Sequence, residues 1–264
     1  MANLANKVIW ITGASSGIGE SLAIEISKLS PRLILSGRRR EALEKVKGSC
    51  QDPTKVALLP FDLTFTDTFD LLIETAISIY GHIDILVNNG GISQRSLAKD
   101  TPLEVDRKIM EVNYFGTVAL TKKLLPHFIA RKAGHIAVVT SLTGKFGTPY
   151  RSGYAASKHA LHGFFDSLRA ELWKHHIDVT LICPGFVRTN VSINALTETG
   201  KKLNQMDDAQ ARGMDPKRCA KKIIKALKSK KREVYIGGKE VYGVYLKRFF
   251  PGLFARIVRK ARVR

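Results

Sequence analysis

Six short apolar runs, rich in β-branched residues and separated by segments of helical length and period, constrain this 264-residue chain more than any other feature. They are V-I-W-I-T (8–12), R-L-I-L-S (32–36), K-V-A-L-L (55–59), I-D-I-L-V (83–87), H-I-A-V-V-T (135–140) and D-V-T-L-I (178–182). Near-continuous apolar runs of this length read as strands buried on both faces. Strands joined through helices must be parallel, and a right-handed crossover places the helices on both sides of the sheet. The expected fold is therefore α/β, a doubly wound parallel sheet of the Rossmann type. With no linker and no internal repeat, residues 1–264 read as one domain, with ligands at the carboxyl ends of the strands.

The first strand runs into T-G-A-S-S-G-I-G (12–19), which opens a helix. Glycines at Gly13, Gly17 and Gly19 permit a tight turn and let the backbone approach a pyrophosphate resting on the helix amino terminus. The end of the second strand reports on the ribose. A carboxylate there would bond the 2′-hydroxyl of NAD, whereas this chain has Ser36, Gly37, Arg38, Arg39 and Arg40. The expected cofactor is NADP(H) rather than NAD(H), with Arg38 nearest the strand end as the 2′-phosphate ligand. Asp62 reads equally as an acceptor for the adenine amino group and as a turn or cap residue.

Tyr154 and Lys158, in Y-A-A-S-K, stand one helical turn apart and follow Ser141 by thirteen residues. A phenol and an ammonium at i and i+4 share a helix face, and a nearby cation favours the phenolate, so Lys158 is expected to lower the Tyr154 pKa. That would make Tyr154 a general acid near neutral pH. The histidines suggest no metal chemistry: His159 and His162 share a helix, and His175 and His176 are adjacent, but no carboxylate or thiol cluster completes a metal shell.

These residues, with N-N-G-G (88–91), Asn113 and P-G-F-V-R-T (184–189), resemble the short-chain dehydrogenases/reductases over nearly the whole chain. N-N-G-G-I-S-Q-R-S-L and Y-A-A-S-K-H-A-L-H-G-F-F look most like family 7 members and their 11-beta-hydroxysteroid dehydrogenase relatives. The resemblance implies a catalytic set of Asn113, Ser141, Tyr154 and Lys158. Tyr154 would exchange a proton with the substrate oxygen, Ser141 would bond that oxygen, Lys158 would hold the nicotinamide ribose, and Asn113 would order a water in a proton relay. It further implies cofactor contacts from Gly13, Ser15, Ser16, Gly17, Ile18, Gly19, Arg38, Asp62, Leu63, Asn89, Gly90, Tyr154, Lys158, Pro184, Gly185, Val187 and Thr189. No metal is implied. The family usually has N-N-A-G where this chain has Gly90 and Gly91, and many NADPH-dependent members carry a basic residue where this chain has Ser16. Phosphate selectivity therefore falls to Arg38.

The implied activity is NADP(H)-dependent interconversion of a carbonyl and an alcohol on a small to lipophilic substrate such as a steroid or retinoid. A 3-oxoacyl-[acyl-carrier-protein] reductase is the alternative enzyme, and a non-catalytic NADPH-binding or basic anion-binding protein the alternative of another class. The resemblance also implies a homodimer or homotetramer. No charged-then-apolar leader and no membrane-spanning run are present, and Cys50, Cys183 and Cys219 lack metal or disulfide spacing, which predicts a cytoplasmic protein.

Two segments stand apart. Residues 190–213 are polar and weakly periodic, readable as a substrate lid or as a surface excursion. Residues 217–264 hold seventeen Lys or Arg against Glu233 and Glu240, so this part carries +15 of the net +20. Within 241–264, Leu253, Phe254, Ile257 and Val258 keep helical spacing while Arg256, Arg259, Lys260, Arg262 and Arg264 project elsewhere. Such a helix suits an anionic membrane surface or a subunit contact. No nucleic-acid recognition motif accompanies the charge.

Overall fold

A computed structural model describes residues 2–261, so Arg262 and Arg264 lie outside the described residues. Strands β1 (Val8–Ile11), β2 (Arg32–Leu35), β3 (Val56–Leu58), β4 (Ile85–Asn88), β5 (Gly134–Val139), β6 (Ile177–Pro184) and β7 (Glu233–Ile236) form one sheet. Its order is β3-β2-β1-β4-β5-β6-β7, and every pairing is parallel. Ile9 of β1 pairs with Leu33 on one side and Ile85 on the other, so the strand order reverses beside β1. At that reversal the connections leave in opposite directions and open a crevice at the carboxyl ends of β1 and β4.

The seventh strand is not apparent from the sequence. Its four residues E-V-Y-I follow the cation-rich K-S-K-K-R (228–232), and only Ile236 is fully buried. Its register with Leu181–Pro184 of β6 supplies the pairing that its composition does not advertise.

Helices α1 (Gly17–Ser27), α2 (Arg40–Gly48), α3 (Phe69–Tyr80), α4 (Leu103–Met110), α5 (Gly116–Arg131), α6 (Ser152–Glu171), α7 (Asp208–Ala211), α8 (Pro216–Lys228), α9 (Tyr242–Phe249) and α10 (Pro251–Val258) surround the sheet. Because successive strand side chains point to opposite faces, each strand feeds two cores. Ile9 and Ile11 join Leu22, Ile26, Ile223 and Leu227 of α1 and α8. Val8 and Trp10 join Phe69, Leu124, Phe128 and Phe165 of α3, α5 and α6. The buried Trp10 indole donates to Ser36 Oγ at 2.8 Å, and Ser36 donates onward to the Leu59 carbonyl at 2.6 Å. These bonds satisfy the polar groups of the core and lock the ends of β1, β2 and β3 beside the crevice.

Proline at the first position of α10 starts that helix as its fixed φ allows. Phe254 turns inward onto Phe146, with ring centroids 5.2 Å apart, beside Leu142 and Cys183. Leu253 and Ile257 remain half exposed, at 50% and 53%. The apolar residues of the tail therefore divide: some cover the strand ends of their own chain and the rest face outward.

Candidate active site

The turn after β1 uses glycine for two separate reasons. Gly13 and Gly17 have φ of +62° and +63°, a left-handed conformation that other residues adopt at a cost. In addition, a Cβ on Gly13 would lie 2.7 Å from Gly90 Cα, so the turn and the end of β4 touch backbone to backbone. Asn89 fastens this contact through Nδ2, which donates to the carbonyls of Thr12 and Gly13 at 3.1 Å each. A Cβ on Gly90 would lie 2.7 Å from Leu63 Cδ1, the far end of a flexible side chain. Ser16 precedes α1 with no side-chain cap, and the Gly17 N–H donates to Glu20 Oε2 at 3.2 Å, so an oxygen anion is accommodated at this helix start.

The crevice widens into a cavity of about 1390 Å³. Gly13, Ser15, Ser16, Gly17, Ile18, Arg38, Asp62, Leu63, Asn89, Gly90, Pro184, Gly185, Val187 and Thr189 line it, together with Ser141, Tyr154 and Lys158. Gly19 and Asn113 are behind its wall. A Cβ on Gly19 would strike the Gly13 carbonyl, so that glycine serves the turn from beneath. Asp62 is a turn residue: Oδ1 accepts from Thr64 N and Oγ1 at 3.0 Å, while Oδ2 lies 3.8 Å from Arg38 Nη1.

Asn113 occupies a wider-pitched π stretch over Glu111–Phe115 between α4 and α5. Such bulges re-aim one side chain at the expense of helical regularity. Here Asn113 Nδ2 donates to the Ile92 carbonyl at 2.9 Å and to Ser157 Oγ at 3.0 Å, and Oδ1 accepts from Ile92 N at 2.8 Å. A Cβ on Gly91 would lie 3.1 Å from Asn113 Oδ1 and 3.5 Å from Lys158 Nζ, so only the hydrogen of a glycine intervenes there.

Ser141 follows β5, where its Oγ accepts from Thr143 N at 3.1 Å and lies close enough to the Tyr154 phenol to hold its pKa down. Tyr154 and Lys158 lie in the first turns of α6, with the ammonium 5.8 Å from the phenol ring centroid. Lys158 Nζ donates to the Val139 carbonyl at 3.0 Å. Burial holds its pKa down to about 8, with the Cys183 thiol opposing.

The expectation that Lys158 lowers the Tyr154 pKa is corrected by the structure. Burial raises the phenol's pKa, and the groups opposing that rise are the Arg151 guanidinium, then the Ser141 hydrogen bond, then Arg95. Lys158 is near the ring but is not the cation that acts on the hydroxyl. Neither arginine stands out in the sequence, since Arg95 is 59 positions before Tyr154 and Arg151 is at the start of the helix, outside any motif.

Arg95 and Arg151 explain how the polar 190–213 segment is held. Arg95, only 1% exposed, donates through Nε to Asp207 Oδ2 at 2.7 Å, with Nη2 at 2.6 Å from the same oxygen. Arg151 Nη2 stands 3.5 Å from that oxygen. Leu196 inserts between Val105 and Ile109 of α4, and its backbone exchanges hydrogen bonds of 2.8 Å with Ser93 and Arg95. Gln210 of α7 donates to the Val187 carbonyl, and Thr189 packs 3.1 Å from where a Gly17 Cβ would be. Residues 190–213 thus pack over the cavity, fastened by a buried ion pair, rather than forming a detached excursion.

The fold also gathers groups distant in sequence, bringing His162, Cys183 and Glu233 within 4.8 Å of one another. Glu233 is ion-paired at 2.8 Å to Lys145, and burial pushes the Cys183 thiol up. The Cys183 thiol therefore keeps its proton and hydrogen-bonds Glu233 and His162 behind the cavity, with His162 held down to about 4 by burial.

A family model described as short chain dehydrogenase matches residues 7–200. The chain is 42% identical to dehydrogenase/reductase SDR family member 7B of Bos taurus, covering 97% of this chain and 82% of that one. It is 44% identical to SDR family member 7 of Homo sapiens, covering 94% and 75%. Among solved structures, a short-chain dehydrogenase from Streptomyces avermitilis superposes with a TM-score of 0.81 at 26% identity, covering 97% and 96%. One from Burkholderia phymatum in complex with NAD shares the fold, with a TM-score of 0.85 at 21% identity over 96% of each chain. With matches over nearly its whole length, the chain belongs to the short-chain dehydrogenase/reductase family, most like its family 7 members, and is an oxidoreductase acting on CH–OH groups.

Proposed function

We propose that this chain is an NADP(H)-dependent enzyme interconverting a carbonyl and an alcohol on a small to lipophilic substrate of the steroid or retinoid kind, with Tyr154 as general acid and base. The observation that carries this reading is the meeting of Ser141, Tyr154 and Lys158 in the cavity that begins at the glycine turn. The residues present fit a dinucleotide: a left-handed glycine cradle, an uncapped helix start, and a serine, a glycine and arginines in place of an acid after β2. Arg38, 69% exposed at the cavity edge, is free to turn to a 2′-phosphate, since its contact with Asp62 is long. When bound, the nicotinamide supplies or accepts the hydride.

Tyr154, kept protonated by burial, donates its proton to the substrate oxygen in reduction and takes it back in oxidation. Ser141 steadies the charge on that oxygen. Lys158 keeps two N–H donors beyond the bond to Val139, and these suit ribose hydroxyls. Asn113 Oδ1 retains a lone pair facing the gap beside Gly91, which suits a water leading to Lys158.

Tyr245, Leu246 and Phe250 extend the cavity wall beyond Phe146, so an apolar substrate body lies against the tail. Leu253 faces outward, and Phe249 and Ile257 stand exposed at the cavity mouth, beside Lys247, Arg248, Arg256 and Arg259, a pairing of apolar surface and charge that suits an anionic bilayer. Among the described residues no helix is long and apolar enough to cross a membrane, so this contact is peripheral. Assembly into a homodimer or homotetramer completes the reading. The test is a panel of steroid, retinoid and acyl-thioester carbonyls scored by NADPH and NADH oxidation. Turnover with NADH alone, or with none of the carbonyls, would overturn it.

A further inference from the structure

Arg151 sits three residues before Tyr154 at the start of α6, lines the same cavity, and is only 6% exposed. Its guanidinium lies over the Phe186 ring, 5.4 Å from the centroid. Nε and Nη2, the two nitrogens of its side-on fork, have no hydrogen-bond partner. A buried charged donor left without an acceptor costs free energy that a folded chain normally avoids, unless a ligand completes it. The one carboxylate close by, Asp207, cannot do so. Its Oδ2 is taken by Arg95 through two nitrogens at 2.7 and 2.6 Å, and its 3.5 Å approach to Arg151 Nη2 lacks hydrogen-bond geometry. Asp106 packs against Gly153 and forms no ion pair with either arginine among the described residues.

Arg95 and Arg151 share the one Asp207 carboxylate, so among these three groups one positive charge lacks a counter-ion. Both arginines act electrostatically on the Tyr154 hydroxyl, so the charge stands beside the reacting position. The opposite wall, with Phe146, Leu246 and Phe254, is apolar.

We propose that Arg151 is a substrate-binding residue and that the substrate is an amphiphilic keto acid, its carboxylate held by the guanidinium of Arg151 a short spacer from the carbonyl that Tyr154 protonates. This inference rests on the carbonyl-reductase reading of the site and names its substrate class. A side-on guanidinium fork matches the two oxygens of a carboxylate, and a single negative charge neutralises the surplus. A phosphate dianion would overshoot it. The keto acid binds with its chain along the apolar wall, and the clamp orients the carbonyl toward Tyr154 and Ser141. Arg95 acts at one remove, keeping Asp207 from pairing with Arg151.

The test uses the intact enzyme with NADPH and medium-chain keto acids of graded spacer length, their methyl esters, and matched keto phosphates. The expected result is a kcat/KM at least about tenfold higher for a keto acid than for its ester. That ratio should fall by about 10- to 100-fold in Arg151→Met and recover in part in Arg151→Lys, which restores the charge without the fork. Because Arg151→Met could fail to fold, decanoate and methyl decanoate are compared as competitive inhibitors of the unmodified enzyme acting on a neutral ketone. Decanoate should inhibit at least about tenfold more strongly. Esters reduced as well as acids, or equal inhibition by the two probes, would sink the carboxylate assignment while leaving the reductase reading standing. Preference for keto phosphates would likewise overturn it. Failure to reduce any of the compounds would remove the reductase reading and this inference together.

Discussion

Replacing Lys158 by methionine should make the cofactor-free protein more stable while destroying its activity. The ammonium is 4% exposed and hydrogen-bonded to one carbonyl, that of Val139, with no carboxylate paired to it. Burial lowers its pKa from 10.5 to about 8. At about 1.4 kcal/mol per pH unit, that fall corresponds to a folding penalty of about 3 kcal/mol at pH 7, where the folded and the unfolded chain both carry the proton. Between pH 8 and 10.5 the unfolded chain binds more protons than the folded one, so the native protein gains stability as pH rises through this window. Above it the penalty is gone. Lys158→Met, of similar length and apolar, escapes the penalty at every pH. The stability gap between the two proteins should therefore be about 3 kcal/mol at pH 7 and under about 1 kcal/mol by pH 10. Urea unfolding of both proteins without cofactor, at steps from pH 7 to 10, measures it, and taking the difference cancels every other titrating group. A variant no more stable at pH 7, or a gap that stays constant with pH, would refute the assignment of Lys158 as a buried cation held at a cost for function.

Other outcomes follow from the same geometry. Tyr154→Phe should lose at least about 100-fold in turnover, with NADPH affinity nearly unchanged because only the transferable proton is removed; fluorescence titration of NADPH beside steady-state rates checks both. Ser141→Ala, which removes the hydroxyl that would steady the substrate oxygen, should also lose about 100-fold, in kcat more than in KM. Arg38→Ala should weaken NADPH by about tenfold and NADH far less, since among the described residues the side chain's only ion contact is the long one to Asp62; equal losses would show that it does not read the 2′-phosphate. Leu253→Asp should weaken sedimentation with anionic vesicles and leave the reductase rate intact, since this side chain is half exposed and outside the cavity wall, whereas cutting the chain after Gly252 would also strip Phe254 from Phe146.

The sheet, its parallel sense, the glycine turn and the Tyr154–Lys158 pair were all legible in the chain because each depends on near neighbours. Strand runs follow from apolar content, Gly13 and Gly17 from a local φ, and Y-A-A-S-K from one helical turn. Six of the seven strands met that condition. β7 did not, because E-V-Y-I is short, half exposed and preceded by cations, and it becomes a strand only when β6 offers its edge. The electrostatics of the site escaped the sequence for the same kind of reason. The sharing of a helix face by Tyr154 and Lys158 is local, but which cation reaches the phenol hydroxyl depends on Arg95, brought from the loop after β4, and on Asp207, brought from beyond β6. Likewise the polar composition of 190–213 suggested a segment of its own, whereas burial of Leu196 and the Arg95–Asp207 pair fasten it over the cavity. Periodicity reports what a residue does for its own element. Burial and charge pairing between elements far apart in the chain exist only once the sheet has set their positions, and there the tertiary structure alone decided.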